Sequence, residues 1–203
     1  PNASPGDTAT ISGTTYTVVN NSTIIGQTYS GNYNLCTTLV TDMSYIFEGK
    51  SSFNSNISFW DTSNVTNMSR MFKNAQSFNQ NISSWDISSV TNVYSMFYYA
   101  LNFNQNIGSW DTSNITNFQL MFQNARVFNQ PIGNWDTSSA TNMAQLFEGA
   151  HAFNQDISGW DVSNNTKTFS MFNNARAFNQ DISGWDVSNV TDMNRMFIEA
   201  TSF

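Results

Sequence analysis

The sequence predicts an α/β solenoid of 25-residue coils, closed at its start by a β-rich cap. Three observations carry that prediction. The string Phe-Asn-Gln-x-Ile-x-x-Trp-Asp returns every 25 residues without an insertion, with Trp60, Trp85, Trp110, Trp135, Trp160 and Trp185 marking the beat and an Asp after each. Apolar residues fall in columns of fixed phase: Phe72, Phe97 and Phe122 in one, Phe78, Phe103 and Phe128 in another, Ala75, Ala100 and Ala125 in a third. Finally, 15% of residues are aromatic and only 10% charged, against about 25% charged in ordinary domains. Such a chain builds a core beneath a neutral coat of Asn, Ser, Thr and Gln, and is not a disordered polar polymer.

Residues 1–10 read as a flexible lead-in. Ile11 to Tyr29 reads as strands, with Tyr16-Thr17-Val18-Val19 β-rich and Ser12-Gly13 and Asn20-Asn21-Ser22 turn-like. A stack of coils needs its first face covered, so residues 1–38 are taken as lead-in and cap, with a small separate module as the alternative. Residues 39–203 form the array.

Each unit divides in two. Val65, Met68, Met71, Phe72 and Ala75 lie at i, i+3, i+6, i+7 and i+10, the apolar face of a short helix. Ser63 or Thr66 would cap its start. Phe78 to Asp86, with polar residues between Phe78, Ile82 and Trp85, reads as an extended segment. Stacked coils would pair such segments as a parallel ladder at about 4.8 Å. One coil departs from the pattern: Asn165 and Thr168 replace Val65 and Met68, and Phe169 falls one place late. Either a rotated helix or looser packing is expected there.

The order Phe-x-x-Ala-x-x-Phe-Asn-Gln-x-Ile-x-x-Trp-Asp-x-Ser-x-Val-Thr-Asn-Met closely resembles the repeats of BspA-like leucine-rich-repeat surface proteins, a repeat type also found in mycoplasma-type surface lipoproteins. The likeness covers about Thr38 to Phe203. It implies a leucine-rich-repeat-like solenoid with a short parallel strand and a short helix per coil, export to the cell surface, and roles in adhesion or recognition. It implies no catalytic residues.

Each column has a scaffold reading and a functional one. The Trp column is favoured as core over a sugar-binding strip. For the Asp column an Asx-turn onto the Ser two residues on is favoured. A row of calcium ions, wanting six to eight oxygens each, is the alternative. The Asn-Gln column reads as amide ladders or as donors to glycan hydroxyls. The Thr column reads as helix caps, with an ice-binding array as the alternative.

The net charge is −7, and six of the fourteen acids are the Asp after Trp. The seven Lys and Arg form no basic stripe, which argues against nucleic acid and anionic membrane as partners. Cys36 stands alone, so no internal disulfide or cysteine zinc cluster exists. No run of 18 apolar residues is present, so no membrane insertion by this segment is expected. With one His and one Cys, no nucleophile–base constellation emerges; no enzyme, cofactor or metal is expected. Pro1 suggests a removed leader, and the array breaks off in mid-unit at Phe203, suggesting a longer native array.

The expected function is that of an extracellular cell-surface repeat protein acting in adhesion or recognition. Its partners would be a glycan or protein on a cell or matrix surface, or neighbouring copies in a surface assembly. The alternatives are a stalk or filament without a ligand, or a calcium-stiffened array. Specificity belongs to positions that vary between units: Tyr94, Tyr98, Tyr99, Leu101, Arg126, His151 and Arg176.

Overall fold

The computed structural model describes residues 3–203. Its first elements are β1 (Thr8–Ile11), β2 (Thr14–Asn20), α1 (Ile24–Tyr29) and β3 (Leu35–Leu39). Ser12 (φ 50°) and Gly13 (φ 82°) close the β1–β2 hairpin. Two positive-φ residues in succession suit the right-handed twist of the strands they join. β2 then pairs in parallel with β3, and α1 is the crossover that a parallel pair requires. The strand expected up to Tyr29 is therefore cut short: Ile24 and Thr28 are buried on one side of a helical turn.

Lys50, the exception in the Ala column, is explained by this cap. Its ammonium donates to the Thr28 carbonyl at the end of α1 (2.6 Å) and lies 5.5 Å from the Tyr29 ring centroid. A cation is stabilised at a helix C-terminus, although burial lowers its pKa.

Beyond β3 each 25-residue unit makes one coil that lies against the next. Parallel bridges run Asp42–Asn67–Asn92–Asn117–Asn142–Lys167–Asp192. Around each bridge, alternate backbone N–H groups donate to the following coil: Met68 to Asn92 O, Arg70 to Tyr94 O, Phe72 to Met96 O and Asn74 to Tyr98 O. Thr66 N–H donates the other way, to Thr41 O.

The helix expected over residues 65–75 is not formed. Overlapping β-turns take its place, closed by Met71 N–H to Met68 O, Lys73 N–H to Arg70 O and Ala75 N–H to Phe72 O. Arg70 and Asn74 have φ of 58° and 61°, and both positions recur left-handed in every coil. The physical reason is visible in the periods. Turns that reset every four residues bury i, i+3, i+4 and i+7, as a helix of 3.6 residues per turn does. The turns free alternate N–H groups for the neighbouring coil, whereas a helix would consume them internally.

The ladder expected along Phe78–Asp86 is likewise displaced: the bridges lie in the other half of the unit. Phe78–Asp86 is joined to its neighbours mainly through side chains. Asn79 N–H donates to Asn54 Oδ1, Asn104 N–H to Asn79 Oδ1 and Asn129 N–H to Asn104 Oδ1, each at 2.9 Å. The same oxygens accept the Gln80, Gln105 and Gln130 amides, so the amide ladder is present. The Thr residues are not helix caps: Thr91 N–H and Oγ1 both reach back to Thr66 O.

The core is two files of stacked Phe rings. Phe72 and Phe78 lie 3.9 Å apart within a coil, and Phe72–Phe97 and Phe97–Phe122 follow at 5.6 and 5.7 Å between coils. Each Trp is buried beside them; from Trp85 onward each donates its indole N–H to the preceding coil, as Trp135 does to Ile107 O (3.1 Å), and Trp60 donates to Tyr33 O in the cap. Core is thus the role of the Trp column. In the departing coil, the register is kept. Thr168 fills the buried position and Phe169 turns half outward, with no rotation of the unit.

Candidate recognition face

The ladder that replaces the expected helix also gathers the variable residues. Its turns present two adjacent pairs of positions per coil, at 69–70 and 73–74 in the second coil. Across coils these positions hold Tyr45, Arg70, Tyr94, Leu120 and Gln145 in one band and Glu48, Lys73, Tyr98, Tyr99 and Glu148 in the other.

Three coils converge at Arg70. Its guanidinium lies 5.3 Å from the ring centroids of both Tyr45 and Tyr94, and the nearby Tyr94 leads in raising its pKa. Lys73 pairs with Glu48 at 2.9 Å and sits 5.7 Å from the Tyr98 ring. Tyr98 and Tyr99 are 4.9 Å apart at 46°. Burial, with Tyr99 adding, pushes the Tyr98 phenol up. The patch is an aromatic surface threaded by two cations, whose attraction to the ring faces holds the rings in place.

Tyr94, Tyr98 and Tyr99 are therefore brought together. Leu101, Arg126, His151 and Arg176 are not part of that cluster; they occupy a single neighbouring row, one per coil. Arg176 Nε donates to Asn174 Oδ1 (2.9 Å), and His151 is held below its ordinary pKa by burial and then by Arg176 and Arg126. The sequence reading missed Tyr45, Arg70 and Lys73. Lys73 shares the column of Tyr98, whereas Tyr45 and Arg70 stand one place after the column of Tyr94.

Tyr99 is conspicuous for its backbone. Its column holds Gly49, Asn74, Asn124, Gly149 and Asn174, residues suited to the left-handed region, yet Tyr99 adopts φ 54° there, as Glu199 in the last coil does at 56°. A bulky residue at positive φ is an outlier. Replacing Tyr99 by Asn, the residue its column favours, is expected to stabilise the fold by about 1 kcal/mol, read as a melting point higher by roughly 2–4 °C.

The Asp column lies elsewhere and is committed locally. Asp86 Oδ1 accepts the Ser88 N–H (3.0 Å) and Oγ (2.7 Å), and Asp136 accepts from Ser138 likewise. Among the described residues, no group of three or more His, Cys, Asp or Glu is gathered. The serine hydroxyl, then its backbone N–H, lowers the pKa of Asp86, Asp136, Asp161 and Asp186; for Asp156 and Asp181 the backbone bond leads.

These shifts fix a pH dependence. Carboxylates with depressed folded pKa contribute stability above their unfolded value, and that contribution is lost as pH falls through the lower folded values. His151, with folded pKa below the unfolded value, opposes folding once pH drops under about 6.5. The melting temperature should be flat near neutrality, decline slightly below about pH 6.5, and fall steeply below about pH 4. A melting point unchanged at pH 3 would contradict this account.

Among the described residues, no helix is long and apolar enough to cross a membrane. A family model described as Mycoplasma protein of unknown function, DUF285, matches residues 18–131 and again residues 102–203. Neither the curated proteins nor the solved structures gave a match.

Proposed function

The chain belongs to the family described as Mycoplasma protein of unknown function, DUF285, and on that premise we propose that it is a non-enzymatic recognition segment of an extracellular, cell-surface repeat protein. In this reading the stack is a leucine-rich-repeat-like solenoid of the BspA kind. Residues 39–203 are its array and residues 1–38 its lead-in and cap. It binds a glycan or protein ligand through Tyr94, Tyr98 and Tyr99, with Tyr45 and Arg70 completing the surface.

One observation carries the reading: the varying Tyr94, Tyr98 and Tyr99 are gathered with Tyr45 and Arg70, while the fixed Trp, Asn, Thr and Asp columns are consumed in holding coils together or closing turns. Tyrosine offers rigid, amphipathic contact area at low entropic cost. The strained Tyr99 adds weight, because strain retained at a position held mostly by Gly and Asn is characteristic of functional sites.

The test is binding of the chain to an array of glycans and matrix proteins, beside Tyr98→Ser and Tyr99→Asn variants. The expected result is a ligand captured by the parent and lost by both variants, with Tyr99→Asn nonetheless melting higher. Silence on every ligand, or capture that both variants retain, would favour a stalk whose surface binds nothing in particular.

A further inference from the structure

We propose that the row Leu101–Arg126–His151–Arg176 is a binding track for a linear anionic polysaccharide, which lies along the stack with its sulfate or carboxylate groups on Arg126 and Arg176. The inference rests on the recognition role proposed above and names its ligand class.

Four side chains from four successive coils form the track. The backbone fixes their spacing: Ala152 N–H donates to Arg126 O (3.1 Å) and Ala177 N–H to His151 O (3.2 Å). The row thus advances one side chain per coil. At about 4.8 Å per hydrogen-bonded step, Arg126 and Arg176 stand roughly 10 Å apart, close to the length of one disaccharide. Both arginines are exposed, and His151 is half-buried between them.

The row is cationic in a chain of net charge −7, and its charges are unmet. The one ion pair among the described residues is Lys73–Glu48, several coils away. Glu148, on the same coil as His151, is already engaged by the amides of Gln123, Gln145 and Asn173. Leu101, half-buried at one end of the row, and the exposed Val127 next to Arg126 add apolar surface, which suits the C–H faces of sugar rings. Two guanidiniums in single file with an imidazole between them, backed by that surface, match a flexible chain with one charge per disaccharide. They supply few of the phosphate contacts that a duplex needs.

The charged groups bearing on His151 are Arg126 and Arg176, one from each flanking coil. An anion laid across them offsets their repulsion, so His151 gains a proton more readily in the complex. By linkage, the polysaccharide binds more tightly as pH falls from 7.5 toward 5.5.

The experiment measures binding of the chain to a heparin oligosaccharide, an oligogalacturonate, neutral dextran and a DNA duplex at two salt concentrations, with sedimentation of the protein alone at low salt. One or both anionic polysaccharides should bind, with affinity falling as salt rises. Arg126→Ser/Arg176→Ser should weaken binding at least tenfold with an unchanged melting point, and His151→Lys should strengthen it. Dextran and DNA should bind no better than background. Equal binding by the double variant overturns the proposal, as does absence of polysaccharide binding or DNA bound as tightly as polysaccharide. So does low-salt self-association abolished by the double variant, which would make the Asp column of a second copy the occupant. A ligand lost in the Tyr98→Ser variant but kept by the arginine variant would reject the track and leave the recognition face standing.

Discussion

Trp135→Ala should cost about 3–5 kcal/mol, the range for removing a large buried aromatic, and lower the melting temperature by roughly 6–20 °C at a few degrees per kcal/mol. The indole is 3% exposed and stacks 6.2 Å from both Phe122 and Trp160. Its N–H satisfies the Ile107 carbonyl in the preceding coil. Truncation therefore opens a cavity and strips a buried acceptor of its partner, two penalties that add. Trp135→Phe separates them: most of the ring volume stays while the carbonyl is still orphaned, so a loss of about 1–3 kcal/mol is expected.

Position in the array matters as well. Stability of stacked repeats sums unit and interface terms, and a mid-array Trp supports an interface on each side. Trp185, more open at 8% exposure, should tolerate Ala better than Trp135 does. Urea unfolding of the three variants decides the matter. A Trp135→Ala loss below 1 kcal/mol, or one smaller than that at Trp185, would refute a shared, tightly packed column.

Period and phase were fully legible in the chain, because an uninterrupted 25-residue beat allows only one registration of the columns. The Phe, Trp, Ile and Ala columns were read as core, and the structure buries them except in the last units, where Ile182 and Phe197 are half-buried and Phe203 is exposed. The local conformation was not legible from the same pattern. Met68, Met71, Phe72 and Ala75 satisfy a four-residue turn repeat as well as a 3.6-residue helix over so short a span. One clue was present: Gly49, Asn74, Asn124, Gly149 and Asn174 share a column, the signature of a recurring left-handed residue. The companion column gave none, since Tyr45, Arg70, Ser95, Leu120, Gln145, Ser170 and Arg195 have no conformational preference in common, and only the backbone identifies them. The grouping of Tyr94, Tyr98 and Tyr99 followed from their phase. Their link to Tyr45 through Arg70 needed the true direction of those side chains.

Asn165→Val combined with Thr168→Met should stabilise the chain by about 2–4 kcal/mol, since each removes a buried polar atom without a partner. Asn165 Nδ2 and Thr168 Oγ1 are both buried and unpaired, in side chains 0% and 1% exposed. The gain is not free of a counter-term: Asn165 Oδ1 accepts the Lys167 N–H at 3.0 Å, a bond that Val cannot replace. Lys167 is exposed, so water can take that N–H, whereas nothing in the core can take the Asn165 amide. The desolvation penalty of the orphan therefore outweighs the lost bond. Methionine is the residue at Met143 and Met193 in the flanking coils, so the position accommodates its volume, and its side chain adds buried apolar area that Thr lacks. The two sites lie within one turn of each other, so the double variant should depart from the sum of the singles. In the parent chain, amides around Asn165 should exchange faster than those around Ile115, and the double variant should equalise them. Equal exchange in the parent, or a double variant no more stable than it, would mean that the two orphaned groups find partners in solution.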